Sequence, residues 1–250
     1  MQEIAPGFFN IRAPFRLYGI FDVGSHMSIM RLNNGKFLVV DTCHVSSQVK
    51  SQIDVLTNNG MDIEAVIATH NYHTIFFPAF YKLYPHCKYY GTPRHLKIQP
   101  EIPWSDQLYS QESLNQFSQL GVEMRIPDGS DYISPLPDNH FNNVFVFHKA
   151  SKTIHNDDTF MLFPPSFFYK LIRLPTIMIH PSLTTTGLYP TKEAPWEFKS
   201  WVLKLCKDWD FENLCSAHNG VKVGGAKELV LDCLQRNEET FKKISDSNSV

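Results

Sequence analysis

Short runs that alternate apolar and polar residues occupy the first part of the chain and predict β-strands. Asn33, Asn34 and Gly35 form a turn sequence between two of these runs, because an Asn-Gly pair tolerates positive φ. The apolar run after the turn ends at Asp41. The pattern therefore predicts a β-hairpin whose second strand stops at a carboxylate. The predicted strands of this region are Gly7–Arg12, Phe15–Phe21, His26–Leu32 and Phe37–Val40.

A helix and a buried strand are predicted next. Val49, Ile53 and Leu56 recur at i, i+4 and i+7, which is the spacing of one helix face, and Gly60 ends the pattern. The run Ile63–Thr69 is short and mostly apolar, which indicates a buried strand. The first part of the chain is thus predicted to be a β-hairpin followed by a helix and a further strand.

The rest of the chain repeats this order, with a β-rich stretch followed by helices. Alternation and β-branching predict the strands, and apolar stripes at helical spacing predict the helices. The predicted strands are Lys88–Gly91, Val122–Ile126, Asn143–His148, Thr153–Phe163 and Asn213–Ala217, and the predicted helices are residues 76–84, residues 111–120, one helix with the stripe Phe198, Trp201, Val202 and Leu205, and one with the stripe Leu229, Val230, Cys233, Leu234, Phe241 and Ile244.

This doubled order predicts an α/β (α+β) fold with four layers, an αββα sandwich. Each sheet needs an apolar cover on its second face, and two sheets packed face to face with helices outside satisfy that need. No linker-like change in composition and no short repeat interrupts the chain. We therefore expect a single domain over residues 1–250, with a polar C-terminal tail at residues 245–250.

The charge balance argues against two classes of partner. Lys and Arg total 23 and Asp and Glu total 25, so the net charge of −2 lacks the basic footprint of a protein that binds nucleic acid or an anionic membrane. The most apolar stretch, Phe160 to Pro181, is interrupted by prolines and by Lys170 and Arg173, so it does not supply a membrane-spanning helix. We expect a small-molecule partner, no nucleic acid and no membrane.

The cysteines and the N-terminus point to a cytoplasmic protein. The five cysteines are odd in number and widely spaced, without a C-x-x-C pair, which argues against a disulfide framework and against a thiolate zinc site. The N-terminus carries an early acid, Glu3, and no uninterrupted apolar run, so it does not read as a secretory signal.

The aromatic run within residues 160–181 has two interpretations. Ser166 would cap a short helix whose aromatic side chains pack into the core. Alternatively, the run forms an apolar wall over the functional site or a subunit interface, because contiguous exposed aromatic residues mark such surfaces. The second interpretation predicts a homo-oligomer.

Four residues at predicted strand ends could carry chemistry. His70 follows one strand, His140 precedes another, Asp158 lies in an Asn-Asp-Asp-Thr sequence, and His218 follows the short strand that ends at Ala217. Loops at strand ends can bring polar side chains together while the sheets hold them in place. Imidazole and carboxylate ligands from separate loops are typical of zinc and iron sites. Any one of the 11 histidines could fall at a strand end by chance, so the set carries more information than its members.

Taken in order, these residues resemble the metallo-β-lactamase superfamily over about residues 8 to 235. That family places an Asp at the end of a strand, then the motif T-H-x-H-x-D-H, a later ligand His, a bridging Asp and a last His in a small-residue loop. Asp41, Thr69-His70, His140, Asp158 and His218 stand in the matching places. The resemblance implies an αββα sandwich and, for an intact site, hydrolysis assisted by two metal ions.

The same comparison shows a departure from the family motif. Counted from His70, the second His of the motif is Tyr72, the Asp is Thr74 and the last His is Ile75. His73 stands one residue out of register and could serve only if the loop were rearranged. An apolar Ile75 at a ligand position argues against a dinuclear centre.

Two hypotheses about function follow. The first is a hydrolase-like protein with a degraded site, which holds one zinc or iron ion through His70, His140, Asp158 and His218 and acts on a small ester, thioester or phosphoester. The second is a descendant of the same fold that binds no metal, or lacks catalysis, and recognises a ligand or a protein.

Overall fold

Two β-sheets pack face to face, and helices cover the outer side of each sheet. The computed structural model describes residues 1–17, 19–108, 110–134, 136, 139–163 and 175–248. The α/β sandwich predicted from the sequence is confirmed, with the αββα order of layers.

The first sheet has seven strands and comes from the N-terminal part of the chain. Its strands lie in the order β1, β2, β5, β6, β7, β8, β9, and a two-stranded hairpin, β3 and β4, branches from it. The β5–β6 hairpin is antiparallel, whereas β6, β7, β8 and β9 run parallel to one another. The bounds are β1 Gln2–Ala5, β2 Phe8–Ala13, β3 Arg16–Leu17, β4 Phe21–Asp22, β5 Ser25–Arg31, β6 Phe37–Val40, β7 Ile63–Ile67, β8 Lys88–Gly91 and β9 Trp104–Gln107.

The second sheet has five strands in the order β10, β11, β12, β15, β16, and β13 and β14 form a separate antiparallel pair. β12 and β15 are parallel, while the other neighbours in this sheet are antiparallel. The bounds are β10 Val122–Arg125, β11 Phe145–His148, β12 Thr153–His155, β13 Phe160–Leu162, β14 Ile177–Ile179, β15 Asn213–Cys215 and β16 Val221–Lys222.

Seven α-helices and two 3₁₀ helices lie in the described part of the chain. Ser46 caps the first helix, because its side chain accepts a hydrogen bond from the Val49 backbone N–H. The bounds are α1 Ser47–Leu56, α2 Phe77–Leu83, α3 Pro93–Ile98, α4 Gln111–Asn115, α5 Ala194–Asp208, α6 Ala226–Arg236 and α7 Glu238–Ser247, with the 3₁₀ helices at Ser118–Leu120 and Pro181–Thr184.

Three apolar clusters correspond to the spaces between these layers. Val40 and Ile67 of the first sheet share the central cluster with Val146 of the second sheet and with Val144, which directly precedes that strand. A second cluster joins the first sheet to α1 and α2, and a third, which contains Phe198, joins the second sheet to α5 and α6. Because alternate residues of a strand face opposite sides of its sheet, each sheet contributes to two of these clusters.

Several predicted elements are divided in the structure. The strand predicted at 15–21 is the β3–β4 hairpin, with Gly19 at positive φ. The strand predicted at 153–163 is two strands separated by residues 156–159, and the helix predicted at 111–120 ends at Asn115 before a 3₁₀ turn. The stripe from Leu229 to Ile244 belongs to two helices that meet at Asn237. Apolar spacing does not reveal the last three breaks, since each of them lies between segments that contribute to the same apolar cluster.

Two further predictions fall at the edge of the described structure. Most of the aromatic run, residues 164–174, lies outside the described residues, as does the proposed cap Ser166. The polar tail predicted from residue 245 is helical as far as Ser247. Among the described residues, no helix is long and apolar enough to cross a membrane.

Candidate metal centre

The site begins where two parallel strands of the first sheet end side by side. Asp41 follows β6, and Thr69 and His70 follow β7. The backbone N–H of Thr69 donates to Asp41 Oδ1 at 2.8 Å, and the Thr69 hydroxyl donates to Asp41 Oδ2 at 2.5 Å. Asp41 has a φ of 55°, a left-handed conformation that Asp tolerates better than most residues. These bonds fix the start of the loop that carries His70.

Four side chains converge at this edge of the sandwich. One ligand atom from each of His70, His73, His140 and Asp158 lies within 4.8 Å of the other three. His70 and Asp158 are buried, and His73 and His140 are half-buried. Three of the four residues were predicted as metal ligands from the sequence, and His73 was not.

His73 enters the cluster through two carboxylates. Its Nδ1 lies 2.7 Å from Asp157 Oδ1, and its Nε2 lies 3.2 Å from Asp158 Oδ2. Burial opposes a charge on His73, but the two carboxylates outweigh it and raise the pKa of His73 well above its usual value. A carboxylate on one ring nitrogen is the arrangement that commonly orients a metal-binding histidine.

The turn after His70 explains why the motif register misses His73. The backbone N–H of Thr74 donates to the Tyr72 carbonyl at 3.0 Å, and the Tyr72 hydroxyl donates to the Ser134 carbonyl at 3.0 Å. Tyr72 is therefore turned towards the 130s loop, while the following residue enters the site. Ile75 is 65% exposed and lies at the mouth of the site. The sequence analysis allowed a role for His73 only if this loop were rearranged, and the loop is rearranged in the structure. The only sign of this in the sequence is a histidine one position out of register with the motif.

Asp158 is the centre of the cluster. Its Oδ2 lies 3.2 Å from Nδ1 of His140, the same distance as from His73 Nε2. Its Oδ1 lies 3.7 Å from Nε2 of His218. Burial opposes ionisation, yet the neighbouring imidazoles, His73 first, hold the pKa of Asp158 well below its usual range. Asp158 is therefore a carboxylate surrounded by three imidazoles.

His218 borders the cluster without joining the four-residue group. Its Nδ1 lies 2.6 Å from the Gly24 carbonyl, to which it donates, and its ring stacks near Phe15 at a centroid distance of 5.9 Å. In a neutral ring, Nε2 then presents a lone pair to the Asp158 carboxylate. Two acceptors that face each other favour a cation or a proton between them.

The donor set fits a metal ion on its chemistry and on one unpartnered atom. His70 is fully buried, and its Nε2 has no hydrogen-bond partner among the described residues. The Tyr72 backbone N–H donates to Nδ1 of His70 at 3.3 Å, a long hydrogen bond that the ring would give up in order to bind a metal through Nε2. Burial, together with the charge on His73, lowers the pKa of His70 well below its usual value, so the ring is neutral and able to bind a metal. Three imidazoles and one carboxylate suit zinc.

A further histidine near the cluster was not selected from the sequence. The ring of His180 lies 5.9 Å from that of His140 between centroids, and its Nδ1 is 2.7 Å from the Ser182 hydroxyl. Burial lowers the pKa of His180. It precedes a 3₁₀ helix and follows a short strand, a context that the sequence pattern did not distinguish from an ordinary loop.

A cavity of about 240 Å³ opens beside the cluster. His73, His140 and His218 form its polar side, and Phe15 and Phe76 lie on its apolar side. The described residues that line it include no Lys or Arg. This cavity is the place from which a small molecule would reach the cluster.

Solved structures of metallo-β-lactamases have the same fold. TMB-1 superposes with a TM-score of 0.59 at 14% identity, covering 100% of this chain and 97% of that one. An enzyme from Erythrobacter litoralis gives a TM-score of 0.60 at 13% identity over 94% and 95% of the two chains. FIM-1 from Pseudomonas aeruginosa, solved in a mono-zinc form, gives 0.58 at 13% over 94% and 93%.

No protein-family model matches the sequence, and no curated protein matches it. At such low identity, the likeness to the solved structures establishes the metallo-β-lactamase fold of this chain. Function must be argued from the site, because one fold supports many activities.

Proposed function

We propose that this protein holds a single divalent metal ion, for which zinc is the best match, and uses it to hydrolyse a small ester or thioester. The observation that carries the proposal is the convergence of His70, His73, His140 and Asp158, with one ligand atom of each within 4.8 Å of the others. The fold supports it, because solved proteins of this fold include one in a mono-zinc form.

A metal ion in this position would polarise a carbonyl group and lower the pKa of a bound water. The chain supplies the groups that prepare the site. Nδ1 of His73 lies 2.7 Å from Asp157 Oδ1, so this carboxylate would orient the ring with Nε2 towards the cluster. Asp158 lies within reach of His73, His140 and His218 and, as an ionised carboxylate, holds these rings around the site. Phe15 and Phe76 restrict water at the apolar side of the cavity.

A second metal ion is not expected. Thr74 and Ile75 stand where the motif would supply a carboxylate and an imidazole, and Ile75 is mostly exposed. His73 is already engaged by both Asp157 and Asp158. The site therefore lacks ligands that a dinuclear site would have. Activity on lactam and glyoxalase-type thioester substrates should be weak.

A metal titration tests the proposal directly. Protein stripped with a chelator and reloaded with zinc should bind about one equivalent, measured by elemental analysis after desalting. The double variant His70→Ala, His140→Ala should bind none, and the exposed His44→Ala should bind as the wild type does. Two equivalents in the wild type, or none, would contradict the proposal.

Hydrolysis is tested separately from binding. The reloaded protein should hydrolyse small neutral esters faster than the stripped protein, and His140→Ala should abolish the difference. A second candidate function, a non-catalytic ligand-binding protein, is favoured by one observation. Asp158 is paired with His73, whose raised pKa lets it carry the positive charge that balances this carboxylate. Zinc binding without any metal-dependent turnover would support that second function.

A further inference from the structure

A line of buried side chains runs between the two sheets from the metal centre to the far side of the cavity. Asp41 accepts from Nε2 of His155 at 3.0 Å, and Nδ1 of His155 lies 2.9 Å from the Ser28 hydroxyl. Asn10 donates from Nδ2 to that hydroxyl at 3.2 Å, and its Oδ1 lies 2.8 Å from Nδ1 of His26. All five residues are at most 4% exposed.

The orientation of Asn10 determines which nitrogen of His26 carries the proton. The amide nitrogen of Asn10 faces Ser28, and its carbonyl oxygen faces His26. A carbonyl oxygen only accepts, so Nδ1 of His26 must donate. In a neutral ring, Nε2 of His26 is then left as an acceptor with a free lone pair.

This lone pair is not used within the protein. Nε2 of His26 is buried and has no hydrogen-bond partner among the described residues. His26 is only 4% exposed and forms part of the cavity wall, in the same cavity as His73 and His218. Burial, with smaller effects from His155, Arg12 and His218, lowers the pKa of His26 to about 3, so the ring is neutral at physiological pH. A buried acceptor without a partner is unfavourable unless a ligand satisfies it.

The remaining walls of the cavity restrict what that ligand can be. Phe15, Ile75, Phe76 and Ala217 offer apolar contact. The lining residues that the structure describes include Asp41 but no Lys or Arg, and the charged ring of His73 is already paired with Asp157 and Asp158. A carboxylate or phosphate on the ligand would therefore find no unpaired cation among them. The volume of about 240 Å³ admits a small molecule only.

We propose that His26 is a specificity residue, which accepts a hydrogen bond through Nε2 from a neutral, largely apolar substrate that bears a hydroxyl or N–H group. The proposal rests on the proposed function only in placing the substrate in the cavity beside the metal centre. The substrate of that site is then an uncharged ester or thioester with a hydrogen-bond donor on its apolar part.

The tautomer of His26 can be measured without any ligand or metal. In stripped wild-type protein labelled with ¹⁵N-histidine, the His26 ring should show a protonated Nδ1 and an unprotonated Nε2. The ring signal is assigned to His26 through its loss in His26→Phe. If that variant does not fold, through-bond NMR correlations between the ring and the His26 backbone provide the assignment. A protonated Nε2 would overturn the proposal, because the ring would then donate rather than accept.

Three small probes test recognition. Phenol carries a donor, anisole lacks one, and benzoate carries a charge. Phenol should bind the stripped protein about tenfold more tightly than anisole, the effect of one neutral hydrogen bond, and benzoate should not bind measurably. Phenol should also shift the His26 Nε2 resonance, and anisole should not.

Variants connect this preference to His26. In His26→Phe, phenol and anisole should bind with equal affinity, whereas the matched substitution His44→Phe, at an exposed position, should keep the tenfold preference. Equal binding of the two probes by the wild type, or a preference that survives His26→Phe, would overturn the proposal.

The metal provides the last control. Zinc stoichiometry should be the same in His26→Phe and in the wild type, so failure of the metal site and failure of this recognition are separately visible. A preference for phenol that exists only in zinc-loaded protein would assign recognition to the metal and would also contradict the role of His26.

Discussion

Nδ1 of His73 lies 2.7 Å from Oδ1 of Asp157, and the other ring nitrogen of His73 lies 3.2 Å from Oδ2 of Asp158 in the candidate metal centre. The two residues come from different halves of the sandwich, His73 from the loop after β7 and Asp157 from the loop between β12 and β13. Through this contact, His73 belongs to the site although it is out of register with the family motif. It also predicts different roles for the two residues.

The first prediction concerns these roles in zinc affinity. His73→Gln removes a ligand, and Asp157→Asn weakens only the group that orients it. Loss of an orienting partner commonly lowers metal affinity by about 10–100-fold, so His73→Gln should lower it by more than about 100-fold and Asp157→Asn by less. Competition with a chromophoric zinc chelator measures both. The exposed His44→Gln and Asp106→Asn are the matched controls, and equal effects of His73→Gln and His44→Gln would show that His73 is not a ligand.

The second prediction concerns stability. Asp41 accepts hydrogen bonds from Thr69 and His155 while fully enclosed, and its φ is 55°. Asp41→Ala should lower the free energy of unfolding of stripped protein by about 3–5 kcal/mol, because it leaves buried donors unpaired and adds strain at positive φ. Asp41→Asn should cost less, about 1–3 kcal/mol, since Asn accepts one bond and tolerates this φ. Urea unfolding measures the difference, and a loss below about 1 kcal/mol for Asp41→Ala would contradict it.

Most of the fold could be predicted from the sequence because its helices carry one apolar face each and its central strands are short apolar runs. The hairpin at Asn33–Gly35 and the stripes on α1 and α5 carry clear periodicity, and their elements lie where they were predicted. α3 was missed, since its six residues give too little periodicity and it begins with Pro93. β9 was missed as well, because Trp104–Gln107 is largely polar and lies at the edge of its sheet.

The site was only partly predictable. Positions at strand ends, together with the family order, identified His70, His140, Asp158 and His218. The roles of His73 and Asp157 depend on a turn whose geometry is set by Tyr72 reaching Ser134, a contact between residues 62 positions apart. Sequence spacing does not encode such a contact, so the ligand set could not be completed before the loops were placed in space.

The third prediction concerns the thiols. All five cysteines are free and buried, and burial raises the pKa of Cys43 and of Cys87 to about 12 and that of Cys206 and of Cys233 to about 11. Burial also raises the pKa of Cys215. Ellman's reagent should therefore react slowly with the native protein, because the thiolate is the reactive form. After denaturation without reductant it should titrate five thiols, and recovery of three or fewer would indicate a disulfide.

The last prediction concerns pH and follows from the burial of His26. Its folded-state pKa of about 3 lies below the ordinary value of 6.5, so below pH 6.5 the unfolded chain binds a proton that the folded chain does not. The stability of the folded chain is therefore unaffected by this group above pH 6.5, and it decreases as the pH falls from 6.5 towards 3. Between pH 7 and pH 4.5, the wild type should lose about 2–3 kcal/mol more unfolding free energy than His26→Phe. Urea unfolding of stripped protein at both pH values measures this. His44→Phe should behave as the wild type, since an exposed imidazole stays hydrated, and equal losses in wild type and His26→Phe would mean that His26 is not held neutral by the fold.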